Sequence, residues 1–125
     1  MNEHDWQAEG WDYLLDLHLY KIGYDNGYWV TIRAFKVEPD EARPHGLQYA
    51  LSLHDENDDR ILGYDNAHPV EVGTGPARKS KRPKAYDHID RRGARSRPYE
   101  FTTPFKLLED FFAEVDAILK KEGVL

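Results

Sequence analysis

Thr103-Pro104-Phe105-Lys106-Leu107-Leu108-Glu109-Asp110-Phe111-Phe112-Ala113-Glu114-Val115-Asp116-Ala117-Ile118-Leu119-Lys120-Lys121-Glu122-Gly123 reads as one long amphipathic helix. Phe105, Leu108, Phe112, Val115 and Leu119 recur at steps of three and four, and Leu107, Phe111 and Ile118 widen the stripe. A face this apolar must be buried against something else. Thr103 stands at the N-cap, where its hydroxyl can accept from an orphan amide. Pro104 follows at N1, where its missing N–H costs nothing. Lys120 and Lys121 suit the negative C-terminal end, and Gly123 is a ready C-cap.

The partner for that stripe lies upstream. Leu47, Tyr49, Leu51 and Leu53 alternate with Gln48, Ala50, Ser52 and His54, a period of two that predicts a strand. The carboxylate-rich Asp55–Asp59 makes a polar hairpin tip, and Arg60–Tyr64 returns as the next strand. Tyr28–Val37 is rich in aromatic and β-branched residues, and Asp25-Asn26-Gly27 before it is a hairpin turn signal. Leu15, Leu17 and Leu19 alternate with Asp16, His18 and Tyr20, so Tyr13–Tyr24 reads as the first strand. The expected fold is therefore α+β. Two hairpins form a four-stranded antiparallel sheet, five-stranded if Pro98–Phe101 joins, covered on one face by the C-terminal helix. Residues 1–12 read as a polar extension and 13–125 as a single domain. Within it, 69–98 is a basic irregular segment, with Tyr86–Asp90 as an extended or helical piece.

The chain of 125 residues is 40% hydrophobic and 32% charged, with a net charge of −6 and no cysteine. That excludes a disulfide scaffold and thiolate metal sites. No apolar run approaches membrane-spanning length, and Met1–Trp6 is acidic with no signal-like apolar stretch, so a cytoplasmic protein is expected. The mean charge hides a dipole. From Pro76 to Pro98 stand Arg78, Lys79, Lys81, Arg82, Lys84, Arg91, Arg92, Arg95 and Arg97 against only Asp87 and Asp90, a net +7 set against −13 on the remaining chain. Such a block is a candidate polyanion footprint; the plainer reading is a solvated loop that balances the protein's own carboxylates.

Phosphate-binding loops, a serine elbow and a zinc helix motif are all absent. Two local constellations remain: Gly63-Tyr64-Asp65-Asn66-Ala67-His68 and Tyr86-Asp87-His88-Ile89-Asp90-Arg91-Arg92. The first repeats the Gly-Tyr-Asp-Asn of Gly23–Asn26, so turn chemistry is the simplest role for Asp65 and Asn66, and His68 is its new element. RNA cleavage through the 2′-hydroxyl needs a proton acceptor, a proton donor and cations facing the developing phosphorane charge. His88 and His68 suit the proton transfers, Arg91, Arg92 and Arg95 the phosphate, and Asp87 the orientation of His88. Arg78, Lys79, Lys81, Arg82 and Lys84 would extend the RNA contact, and Tyr86 would shape the site with Asp65 and Asn66. Against this stands simple surface pairing of Asp87 and Asp90 with neighbouring arginines. Asp65, His68, Asp87, His88 and Asp90 would also suit a divalent cation, but their spacing is not diagnostic, and no cofactor is expected.

Together these residues resemble the TumE-family toxin–antitoxin proteins. The resemblance rests on Pro44-His45-Gly46-Leu47-Gln48-Tyr49, Arg60–His68, Tyr86-Asp87-His88, Arg97-Pro98-Tyr99-Glu100-Phe101 and Leu107–Phe112, and covers residues 13–122. It implies a growth-inhibiting toxin that acts on RNA and is neutralised by a helix-turn-helix antitoxin, with Asp65, Asn66, His68, Asp87 and His88 as site residues. Members often carry a second histidine two positions after Asp-His, where this chain has Asp90. The alternative from another class is a non-enzymatic interaction module whose basic segment binds an acidic protein. Exposed sheet edges also invite a homodimer.

Overall fold

The computed structural model describes residues 9–71 and 84–125. In chain order these form Trp11–Asp16 (α1), Tyr20–Gly23 (β1), Trp29–Lys36 (β2), Leu47–His54 (β3), Arg60–Asp65 (β4), Val70–Glu71 (β5), Lys84–Ala85 (β6), His88–Arg91 (β7), Arg97–Pro98 (β8) and Pro104–Lys121 (α2). The main sheet has six strands in the order β1-β2-β3-β4-β7-β8, antiparallel at every junction. β5 and β6 pair separately as a two-stranded ribbon.

The α+β class and the covering helix hold; the strand count does not. Tyr86–Asp90, read as an extended or helical piece, overlaps β7, and the optional fifth strand expected at Pro98–Phe101 begins one residue earlier as β8; both extend the sheet beyond β4. Each is two to four residues long, and Ile89 is the one apolar side chain of β7, so no periodicity announces it. The first strand is also shorter than expected. Trp11, Leu14 and Leu15 fall at helical spacing, and Trp11 and Leu14 are buried. Burial of that stripe turns Trp11–Asp16 into α1, and only Tyr20–Gly23 remains extended.

Helix α2 forms as its ends dictate: the Thr103 Oγ1 accepts from the Lys106 amide at 3.2 Å, and Lys120 and Lys121 occupy the last turn. Its Leu107, Phe111, Val115 and Leu119 are fully buried in one cluster with Val30 and Ile32 of β2, Leu51 and Leu53 of β3, Leu62 and Tyr64 of β4 and Ile89 of β7. These strand residues share one face by register. The opposite face carries Trp29, Thr31, Arg33 and Phe35 from β2, Ser52 and His54 from β3, and His88 and Asp90 from β7. Among the described residues no helix is long and apolar enough to cross a membrane.

Candidate functional site

Pairing of β4 with β7 sets Tyr64 opposite Ile89 and Asp65 opposite His88. The two constellations, some twenty residues apart in sequence, thereby become neighbours at one end of the sheet. Asn66, fully buried, secures that end. Its Oδ1 accepts from the Tyr49 amide at 3.0 Å, its Nδ2 donates to the Leu47 carbonyl at 2.8 Å, and its own amide donates to Tyr49 O. Asp65 Oδ1 accepts from the Ala67 amide at 2.7 Å, the side-chain turn that Asp and Asn favour. Arg43, from the loop before β3, donates to Asn66 O at 2.8 Å and lies 5.9 Å from the Tyr86 ring, bridging the two constellations.

Successive strand residues point to opposite faces, and this separates Asp87 from His88. The Asp87 carboxylate accepts from the Tyr49 hydroxyl at 2.8 Å and lies 3.4 Å from His45 Nε2. The Leu47 amide donates to His45 Nδ1 at 3.2 Å, which leaves the neutral ring's proton on Nε2, facing Asp87. The alignment is too poor for a hydrogen bond and the nitrogen is buried, so that contact is electrostatic. Burial, with Asp87 alongside, pushes the Tyr49 hydroxyl far above its ordinary value and keeps it a donor. The His45 ring rests on Phe101, centroids 4.3 Å apart.

His88 is buried on the other face and is oriented by groups other than Asp87. Its Nδ1 meets the Tyr86 carbonyl at 2.7 Å and its Nε2 meets Asp90 Oδ2 at 3.2 Å. Asp90 also accepts from the Ser96 hydroxyl and lies 3.7 Å from Arg60 Nη1, while Arg60 Nη2 lies 3.7 Å from Asp65. The guanidinium lies over Gly63, where a Cβ would collide with it. Asp90 is thus a hydrogen-bonding partner of His88.

The arginines expected to clamp phosphate are engaged within the protein. Arg91 lies 3.5 Å from Glu114, which also accepts from Arg97 at 2.9 Å and from the Tyr64 hydroxyl at 2.7 Å. Arg92 donates to Asp55 at 2.8 Å and reaches Glu122 at 3.8 Å. Arg95, His68 and Tyr86 are exposed, and among the described residues no hydrogen bond or ion pair joins His68 to His88. Lys84 belongs to the β6 backbone opposite Glu71; Arg78, Lys79, Lys81 and Arg82 lie outside the described residues. No group of three or more His, Asp or Glu able to hold a metal occurs among the described residues. Sequence reasoning missed His45, Tyr49, Arg43, Arg60 and Ser96 as members of this polar cluster. The Pro-His-Gly loop leading into β3 was a signal for His45 and Tyr49, and the Arg60–His68 segment for Arg60.

A family model described as Toxin TumE matches residues 16–119, most of the chain. No curated protein and no solved structure matches it. The chain belongs to the TumE toxin family, and membership implies a toxin of a toxin–antitoxin system with an antitoxin partner.

Proposed function

We propose that this TumE-family toxin acts on RNA at the sheet end where β4, β7 and the loop before β3 meet. The observation that carries the reading is the β4–β7 register, which brings Asp65–His68 beside Tyr86–His88 with Arg43 between them. In this reading His68, exposed at that sheet end, takes the proton of a ribose 2′-hydroxyl as the 2′-oxygen bonds to phosphorus, and water protonates the departing 5′-oxygen as the P–O5′ bond breaks. His88, held by Tyr86 O and Asp90, and Asp87, held by Tyr49 on the opposite face, fix the two sides of that sheet end; Arg95 and the lysines and arginines from Arg78 to Lys84 neutralise phosphate. Arg91 and Arg92 contribute once RNA competes with Glu114, Asp55 and Glu122 for them.

A second reading is a non-enzymatic module whose basic segment docks an acidic protein, which must compete with the same internal carboxylates for Arg91, Arg92 and Arg97. Induced expression followed by plating and total-RNA gels separates them, with purified chain titrated against a single-stranded oligoribonucleotide at several salt concentrations. RNA action predicts growth arrest, new RNA fragments and affinity that falls steeply with salt. His68→Ala and His88→Gln then lose cleavage while keeping the fold. A parent chain that neither binds nor cuts RNA at low salt sinks the proposal, and undiminished cleavage by His68→Ala removes that histidine from it.

A further inference from the structure

We propose that the open groove between α1, β1 and α2 is the seat of the antitoxin, and that it receives an apolar segment flanked by lysine or arginine. The inference rests on the toxin reading and concerns a different surface. The groove encloses about 440 Å³ and is lined by Tyr13, Leu17, Tyr20, Ile22, Ile32, Leu108, Glu109 and Phe112. Tyr13, Leu19 and Tyr20 are each more than half exposed, and the Phe105 ring lies tilted against Tyr13 with centroids 5.7 Å apart. Clustered large apolar side chains in water mark an interaction surface. Beside them β1 is the last strand of the sheet, so its outer edge has no partner strand among the described residues.

Charge selects the occupant. Exposed Asp12 and Asp16 stand on α1 next to Tyr13 and Leu17. Across the groove α2 presents Glu109, on its lining, and Asp116 one turn beyond Phe112, close enough to the Tyr24 hydroxyl to help raise its pKa. Among the described residues Lys106 is the cation beside Glu109 on this rim, and it is bound to Glu109 at 3.2 Å and Asp110 at 2.9 Å. Lys21 lies on the opposite face, over the Trp29 ring. An acidic rim around an apolar floor suits a basic amphipathic segment and repels both RNA and an anionic lipid surface. The edge strand β1 and the RNA-proposed β7 are four strand spacings apart, roughly 19 Å, so an antitoxin seated here leaves the toxin's own site intact.

The test expresses the chain and the antitoxin encoded beside it from separate inducible promoters, and measures the purified complex by sedimentation. Two variants are compared with the parent: Tyr20→Asp in the groove, and Asp16→Lys with Glu109→Lys on the rim. The expected result is growth arrest by each variant alone, failed rescue by the antitoxin, and affinity reduced about tenfold or more. Rescue and complex formation at parental strength by both variants would overturn the proposal. So would a parent dimer that Tyr20→Asp converts to monomer while antitoxin binding is unchanged, because the groove would then belong to a second copy. If the parent itself fails to arrest growth, the toxin reading fails alone, and the purified-complex measurement still decides for or against the groove.

Discussion

Asn66 shows how much of the site's geometry one side chain can hold. Its amide satisfies the Tyr49 N–H and the Leu47 carbonyl at the start of β3, and its backbone anchors Arg43. Alanine there leaves a buried donor and a buried acceptor without partners, each costing about 1–3 kcal/mol. Asn66→Ala is therefore expected to lower the urea-unfolding free energy by roughly 2–4 kcal/mol; a change within about 0.5 kcal/mol would show the amide to be dispensable. The Gly-Tyr-Asp-Asn repeat made a turn role readable for Asp65 and Asn66, and Asn26, at φ 63°, is a true turn residue. Which carboxylate faces His88 was not readable locally. Only once Asp87–Arg91 is known to be extended does alternation hand that role to Asp90 and take it from Asp87.

At the scale of elements, α1 and α2 are tied through a glycine. Gly10 caps α1 with φ +89°, and a Cβ on it would stand 2.6 Å from the Phe105 ring. Left-handed backbone costs a side-chain-bearing residue about 1–2 kcal/mol before any clash. Gly10→Ala should lower stability by about 1–3 kcal/mol in thermal unfolding. In a Gly10→Ala/Phe105→Ala cycle the steric part cancels and the backbone part persists; full additivity would show that the ring does not press on Gly10. The long helix was legible because its caps and stripe agree over eighteen residues. The short α1 was not, since Leu15, Leu17 and Leu19 also fit a period of two, and packing of Trp11 and Leu14 decides between them.

For the molecule as a whole, Arg92 joins three distant places: the β3–β4 turn through Asp55, its own position after β7, and the end of α2 through Glu122. Arg92, helped by the Asn57 and Asp59 amides, holds the Asp55 carboxyl below the ordinary carboxylate range. An acid depressed in the fold contributes stability above its unfolded value, about 4, and loses it as pH falls through the folded value. Burial lowers the His54 pKa, so the unfolded chain takes up that proton first, and stability falls as pH drops below about 6.5. Urea midpoints measured from pH 8 to 3 should thus decline in two steps, and His54→Gln should flatten the upper one; an unchanged upper slope would refute it. Local chemistry was enough to determine the helix, the three strands from Trp29 to Asp65, the turn residues and the charge dipole, because caps, alternation and turn preferences act within a few residues. The tertiary structure alone decided that β7 and β8 enlarge the sheet, that His88 pairs with Asp90 and Asp87 with Tyr49, and that His45 joins them. Those outcomes follow from strand pairing and burial between segments far apart in the chain, where short polar strands carry no periodic signal of their own.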